Sequence, residues 1–146
     1  MEVRAREVPH YPHITDVKTE AQRGSNSIVD VLEYLTVKGY ELCIFTNGFY
    51  KAQGENMKAH GIYDFFERIY AWDNWYAKPD KRALRRALAG TNPRCNVMIG
   101  DSMKSDIIPS KEYGLYTIGF NVSNLEEYKI KPDVVITDLA QLKEIL

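Results

Sequence analysis

A chain of 146 residues sits near the usual size of one domain and can bury a core without metal or disulfide staples. With 45% hydrophobic residues and a formal net charge of -1, it is neither disordered nor basic enough to coat nucleic acid, and its positive charges are scattered. No apolar stretch approaches membrane-spanning length, and the opening MEVRAREVPHYPH is charged and proline-broken where a secretory signal would be greasy. A soluble, cytoplasmic protein with neither nucleic-acid nor membrane partners is the expectation.

In chain order, residues 1–24 read as an irregular N-terminal segment and residues 25–146 as one α/β domain. SNSIVDVLEYLTVKGY offers polar caps at Ser25 to Ser27, apolar Ile28, Val31, Leu32 and Leu35 at helical spacing, and Gly39 as a stop. ELCIFTNG is a short β-rich run closed by Thr-Asn-Gly, and FYKAQGENMKAHG is a weaker helix that ends at Gly61. RIYAW follows, then KPDKRALRRALAG, with Pro79 expected in a first helical turn and Gly90 at the end. The rest runs as NVMIG, a short helix from about Ser105 to Tyr113, LYTIGF, DVVIT and a closing helix LAQLKEIL. Apolar strands alternating with helices predict a doubly wound, Rossmann-like parallel sheet covered on both faces. Cys43 and Cys95 lie in or beside strand-like runs without metal-ligand spacing and read as core thiols of a reducing compartment.

In such sheets ligands collect at the carboxyl ends of the strands, so the polar residues that end strands carry the functional argument. Thr46 follows ELCIF directly, and the backbone N–H groups of Asn47 and Gly48 would form an anion-binding corner suited to phosphate. Lys78, just before a helix, supplies a point charge of the kind that binds a phosphoryl oxygen. Asp101 and Asp106, after VMIG, supply hard oxygen ligands for Mg²⁺. Singly, each has a plainer reading: Thr46 a turn residue, Lys78 a surface charge, Asp101 a helix cap, Asp106 an exposed helical position. Their order and spacing together make the set specific to a metal-assisted phosphoryl site.

On these motifs the sequence resembles the haloacid dehalogenase (HAD) superfamily over roughly residues 25 to 146: CIFTNG resembles its motif II, AKPD its motif III and IGDSMKSDI its motif IV. The resemblance implies a HAD-like core and Mg²⁺-dependent hydrolysis of phosphate esters through an aspartyl phosphate; no segment here is long enough for the cap that family members insert, so no separate cap domain is expected. It gives Thr46 the transferred phosphoryl group, Lys78 the surrounding charge, Asp101 the Mg²⁺, and Asp106 a place as a metal or supporting carboxylate. A small phosphorylated metabolite is the implied substrate. The alternatives are a non-catalytic phosphate- and Mg²⁺-binding or regulatory domain, or the C-terminal part of a longer HAD phosphatase. A receiver-like domain ranks third, because its early acidic pair is absent and AKPD precedes the later acids in the wrong order.

The family's motif I, an Asp-x-Asp-x-Thr at the end of an N-terminal strand, is not found. The nearest stretch is HITDVKT, where Asp16 precedes Thr19 by three residues and Lys18 stands in place of the general acid/base. Asp16 is the candidate nucleophile, with a loop or cap acid the favoured reading of the same residue. His10 and His13 are too isolated for a metal claim. In this family the motif I strand lies between those of motifs II and IV, so its absence leaves a central gap whose edges need partners. The filler is expected to be the N-terminal segment itself (EVRAREV), a strand exchanged with another copy of the chain, or direct pairing of the two flanking strands.

Overall fold

The computed structural model describes residues 1–4 and 28–146. Six strands form one sheet: β1 (Glu2–Arg4), β2 (Glu41–Phe45), β3 (Phe66–Tyr70), β4 (Asn96–Gly100), β5 (Tyr116–Phe120) and β6 (Val134–Ile136), in the order β3-β2-β1-β4-β5-β6. The helices are α1 (Ile28–Val37), α2 (Tyr50–Ala59), α3 (Lys81–Ala87), α4 (Ile108–Tyr113) and α5 (Leu142–Ile145). Five strands run the same way, as expected from their continuous apolar runs.

The sixth does not. β1 fills the central position between β2 and β4 and is antiparallel to both, with Val3 opposite Leu42 on one side and Val97 on the other. Of the ways foreseen to close the gap, the N-terminal segment supplies the strand, from residues within the stretch that reads as irregular. Reversal puts Met1 beside the carboxyl end of β4, where its nitrogen donates to Ile99 O at 2.8 Å and its carbonyl accepts from Ile99 N at 2.8 Å.

Strand alternation divides the core. Leu42, Val97, Ile99, Ile118 and Ile136 face a layer built on Val31, Leu32 and Leu35 of α1 and on Leu142 and Ile145 of α5. Cys43, Phe45 and Met98 face the other way, onto Ala83, Leu84 and Ala87 of α3. Both cysteines are buried and free, as the sequence suggests.

Three elements depart from their sequence reading. The expected Ser105–Tyr113 helix is divided into a wide π turn over Met103–Ile107 and the short α4. The closing helix likewise begins as a 3₁₀ turn over Leu139–Gln141, where Asp138 and Gln141 cap each other. Pro79 lies outside α3, whose N-cap is Asp80: its carboxylate accepts from Arg82 N at 2.9 Å. The Arg82 guanidinium on the same carboxylate, with that backbone N–H, holds Asp80 down to about 2.

A buried polar knot ties the opposite, amino edge of the sheet. Asp133, just before β6, accepts from Thr117 N at 2.8 Å, from Thr117 Oγ1 at 3.0 Å and from Lys111 Nζ at 2.8 Å. Thr117 is fully buried, so Asp133→Ala strands its N–H without a substitute in water. A loss of about 2–4 kcal/mol is expected in urea unfolding, from one or two unmet buried groups. A loss under 0.5 kcal/mol would show that the knot does not hold β5 to β6.

Candidate active site

The five parallel strands end along one edge, and the polar residues singled out above stand there in sequence after Phe45, Tyr70 and Gly100. Thr46 prolongs β2 by one bond, donating its N–H to Tyr70 O at 2.9 Å. Its Oγ1 accepts from Gly48 N at 3.0 Å, closing a tight turn before α2. The expected anion corner is thereby modified, since the Gly48 N–H is already taken by the threonine. The Thr46 hydroxyl proton has no acceptor among the described residues and remains available to a ligand oxygen.

Asn47 acts through its side chain, which the sequence does not announce. Its Oδ1 accepts from Lys78 N at 2.7 Å and its Nδ2 donates to Lys78 O at 3.1 Å. This two-way amide clamp fastens the AKPD loop to the loop after β2. Asn47 thus places Lys78 whatever it does for an anion.

Lys78 reaches in from that clamp to pair with Asp106 Oδ1, the two side chains being 15% and 5% exposed. An ammonium has three donors, and Asp106 takes one. The other two have no protein acceptor among the described residues. Asp106 is held in turn by the π turn. Ser102 O accepts from both Asp106 N, at 3.0 Å, and Ile107 N, at 3.1 Å, and Ser102 Oγ accepts from Ser105 N at 3.1 Å. The second oxygen of Asp106 accepts from Ser102 N at 3.3 Å.

Gly100 makes this possible. A Cβ there would lie 2.5 Å from both Cβ and Oδ2 of Asp106, so only glycine lets the carboxylate settle against the end of β4. Neither Gly100 nor Ser102 stands out as a site residue on sequence grounds. The signal available was the Gly before Asp101, which reads simply as the end of a strand.

Asp101 differs from its neighbour. It is exposed and makes no hydrogen bond or ion pair among the described residues, so both its oxygens are open. Asp106, expected with it as a metal carboxylate, has one oxygen on Lys78 and the other on a backbone N–H. Among the described residues no group of three or more His, Cys, Asp or Glu side chains gathers as a metal cluster. Of these two carboxylates, Asp101 therefore has the unengaged hard-oxygen chemistry that suits Mg²⁺. Asp16, with His10, His13, Lys18 and Thr19, lies outside the described residues.

Comparison with known proteins identifies the family of the chain. A glyceraldehyde 3-phosphate phosphatase from Pyrococcus furiosus is 34% identical over 119 residues, which cover 77% of this chain and 50% of that one. The pyrimidine 5′-nucleotidase YjjG of Escherichia coli is 32% identical over 108 residues, covering 70% of this chain and 48% of that protein. The magnesium-bound crystal structure of the putative HAD-hydrolase YfnB from Bacillus subtilis superposes with a TM-score of 0.70 at 26% identity, over 80% of this chain and 53% of that one. The chain thus spans about half the length of each of these three proteins. The pattern of the haloacid dehalogenase-like hydrolases matches residues 7–120. On this match and these identities, the chain belongs to the haloacid dehalogenase-like hydrolase family.

Proposed function

We propose that this chain carries the phosphate- and Mg²⁺-binding half of a phosphomonoester hydrolase site. The observation that carries the reading is a buried Lys78–Asp106 pair whose ammonium keeps two donors, beside a threonine hydroxyl with a donor to spare. Two cationic N–H groups and one O–H suit the oxygens of a phosphoryl group, and Asp106 keeps Lys78 from wandering. Asp101 would hold Mg²⁺, with water and phosphate oxygens completing its shell; when bound, the ion supplies charge neutralisation at the phosphoryl oxygens. Two of the relatives named above, a glyceraldehyde 3-phosphate phosphatase and a pyrimidine 5′-nucleotidase, carry names that support a phosphate-directed reading and differ in the organic compound named.

The reversed β1 favours a second reading, in which the chain alone binds phosphate without turning esters over. A strand entering the site from β1's position would have to run parallel to β2 to present a carboxylate at this edge, and β1 runs the other way. Hydrolysis then needs a nucleophile from elsewhere, for which Asp16 is the candidate in this chain.

Calorimetry with inorganic phosphate and Mg²⁺ tests the binding reading. Weak, mutually dependent binding is expected, with Mg²⁺ binding lost in Asp101→Asn; tight stoichiometric Mg²⁺ binding that survives this change would refute the assignment. An aryl phosphate assay divides the two readings. Near-absent turnover supports binding alone, and robust Mg²⁺-dependent turnover abolished by Asp16→Asn establishes the hydrolase with Asp16 as nucleophile.

A further inference from the structure

Two loops on the site's edge carry large rings into solvent. Phe49, two residues after Asn47, is 59% exposed, and Trp72, two residues after the end of β3, is 46% exposed. Their centroids lie 5.4 Å apart with planes at 61°, an edge-to-face pair. Single exposed apolar residues are ordinary on protein surfaces; a contiguous aromatic pair held beside a polar site is not.

The loops that bear the rings are pinned. Asp73 Oδ1 accepts from Tyr50 N at 2.8 Å, joining the Trp72 loop to the first turn of α2 immediately after Phe49. Asn74 Oδ1 accepts from Ala71 N at 2.7 Å and its Nδ2 donates to Ile69 O at 3.0 Å, folding the Trp72 loop back on its own strand. A pair so held loses little freedom when a flat group settles on it. The loop that offers the Thr46 hydroxyl continues directly into Phe49, the N-cap of α2, so the rings and the proposed phosphate site meet on one continuous loop through Phe49.

We propose that Phe49 and Trp72 form a ring-stacking subsite that selects phosphate monoesters of planar aromatic or heteroaromatic groups. The proposal rests on the phosphate-binding reading above and adds the substrate class to it. The rings favour such a group through edge and face contacts and through the apolar area they cover. An aliphatic phosphate gains only the part of this that its smaller, flexible body can cover.

The test compares phenyl phosphate with glycerol 3-phosphate by calorimetry in the presence of Mg²⁺, on the unaltered chain and on Phe49→Leu and Trp72→Leu, each checked for folding by circular dichroism. Leucine keeps apolar bulk and removes the ring. Phenyl phosphate is expected to bind about threefold to tenfold more tightly than glycerol 3-phosphate, with that ratio falling toward one in each variant. Equal affinities in the unaltered chain, or a ratio that persists in both variants, would overturn the subsite and leave the phosphate reading standing. If neither ester nor inorganic phosphate binds, the phosphate reading fails and the subsite with it. Should one variant fail to fold, the other decides.

Discussion

Val3→Pro is expected to unfold the chain or drive it into aggregates. Val3 sits at the middle of β1 with a strand hydrogen-bonded on each side, and β1 is the joint between β3-β2 and β4-β5-β6. Proline removes the donor that a central strand needs and sets its ring against the neighbouring chain, which is why it is confined to sheet edges. The orphaned carbonyl on the neighbouring strand costs about 1–3 kcal/mol and the ring clash adds to that, a total of about 3 kcal/mol or more. Against the 5–15 kcal/mol typical of a whole domain, that is a large share. Two exposed strand edges are also a template for pairing with other chains, so size-exclusion chromatography should show oligomers or aggregate beside a lowered thermal midpoint. Deletion of residues 1–16 should act in the same direction and more strongly. A truncated chain that stays monomeric with unchanged thermal unfolding would show that β2 and β4 close directly on each other.

That joint also marks the limit of what local sequence discloses. The five parallel strands are legible because each is a short apolar run ended by Gly or a polar turn, and such runs are buried whatever their neighbours do. The places of Thr46 and Asp101 are legible for the same reason, since a polar residue that ends a buried strand stands where loops meet, and that of Lys78 from its position just before a helix. β1 is different. Glu-Val-Arg has no strong strand signal, and its place and direction come from two partner strands distant in sequence that need a filler between them. Nothing in three residues specifies reversed pairing.

The same distinction separates the two acids of motif IV. A spacing of five residues suggests two similar carboxylates, yet the π turn and the bare Cα of Gly100 fold Asp106 inward onto Lys78 and leave Asp101 outside. Helical periodicity assumes 3.6 residues per turn, and a π turn breaks that assumption at this point. The role of Asn47 was hidden for a related reason, because its partner is the backbone of a residue 31 positions away.

Lys78→Met is expected to disable ligand binding and to weaken the fold together. Methionine removes the ammonium while keeping an apolar stem of similar length, so Asp106, only 5% exposed, retains a carboxylate without its counter-ion. The remaining contact to Ser102 N, at 3.3 Å, is long and cannot replace an ion pair. Removing one partner of a buried pair costs about 3–5 kcal/mol, and the partial exposure of Lys78 places the expected loss near 3 kcal/mol. Phosphate binding should fall below detection in the same variant, since two of the three donors assigned to the phosphoryl oxygens go with the amine. The double variant Lys78→Met/Asp106→Asn separates the two effects: neutralising the stranded carboxylate should restore about half or more of the lost stability without restoring phosphate binding. Additive losses in that cycle would mean that Lys78 and Asp106 do not depend on each other. Phosphate binding that survives Lys78→Met would remove the lysine from the proposed site altogether.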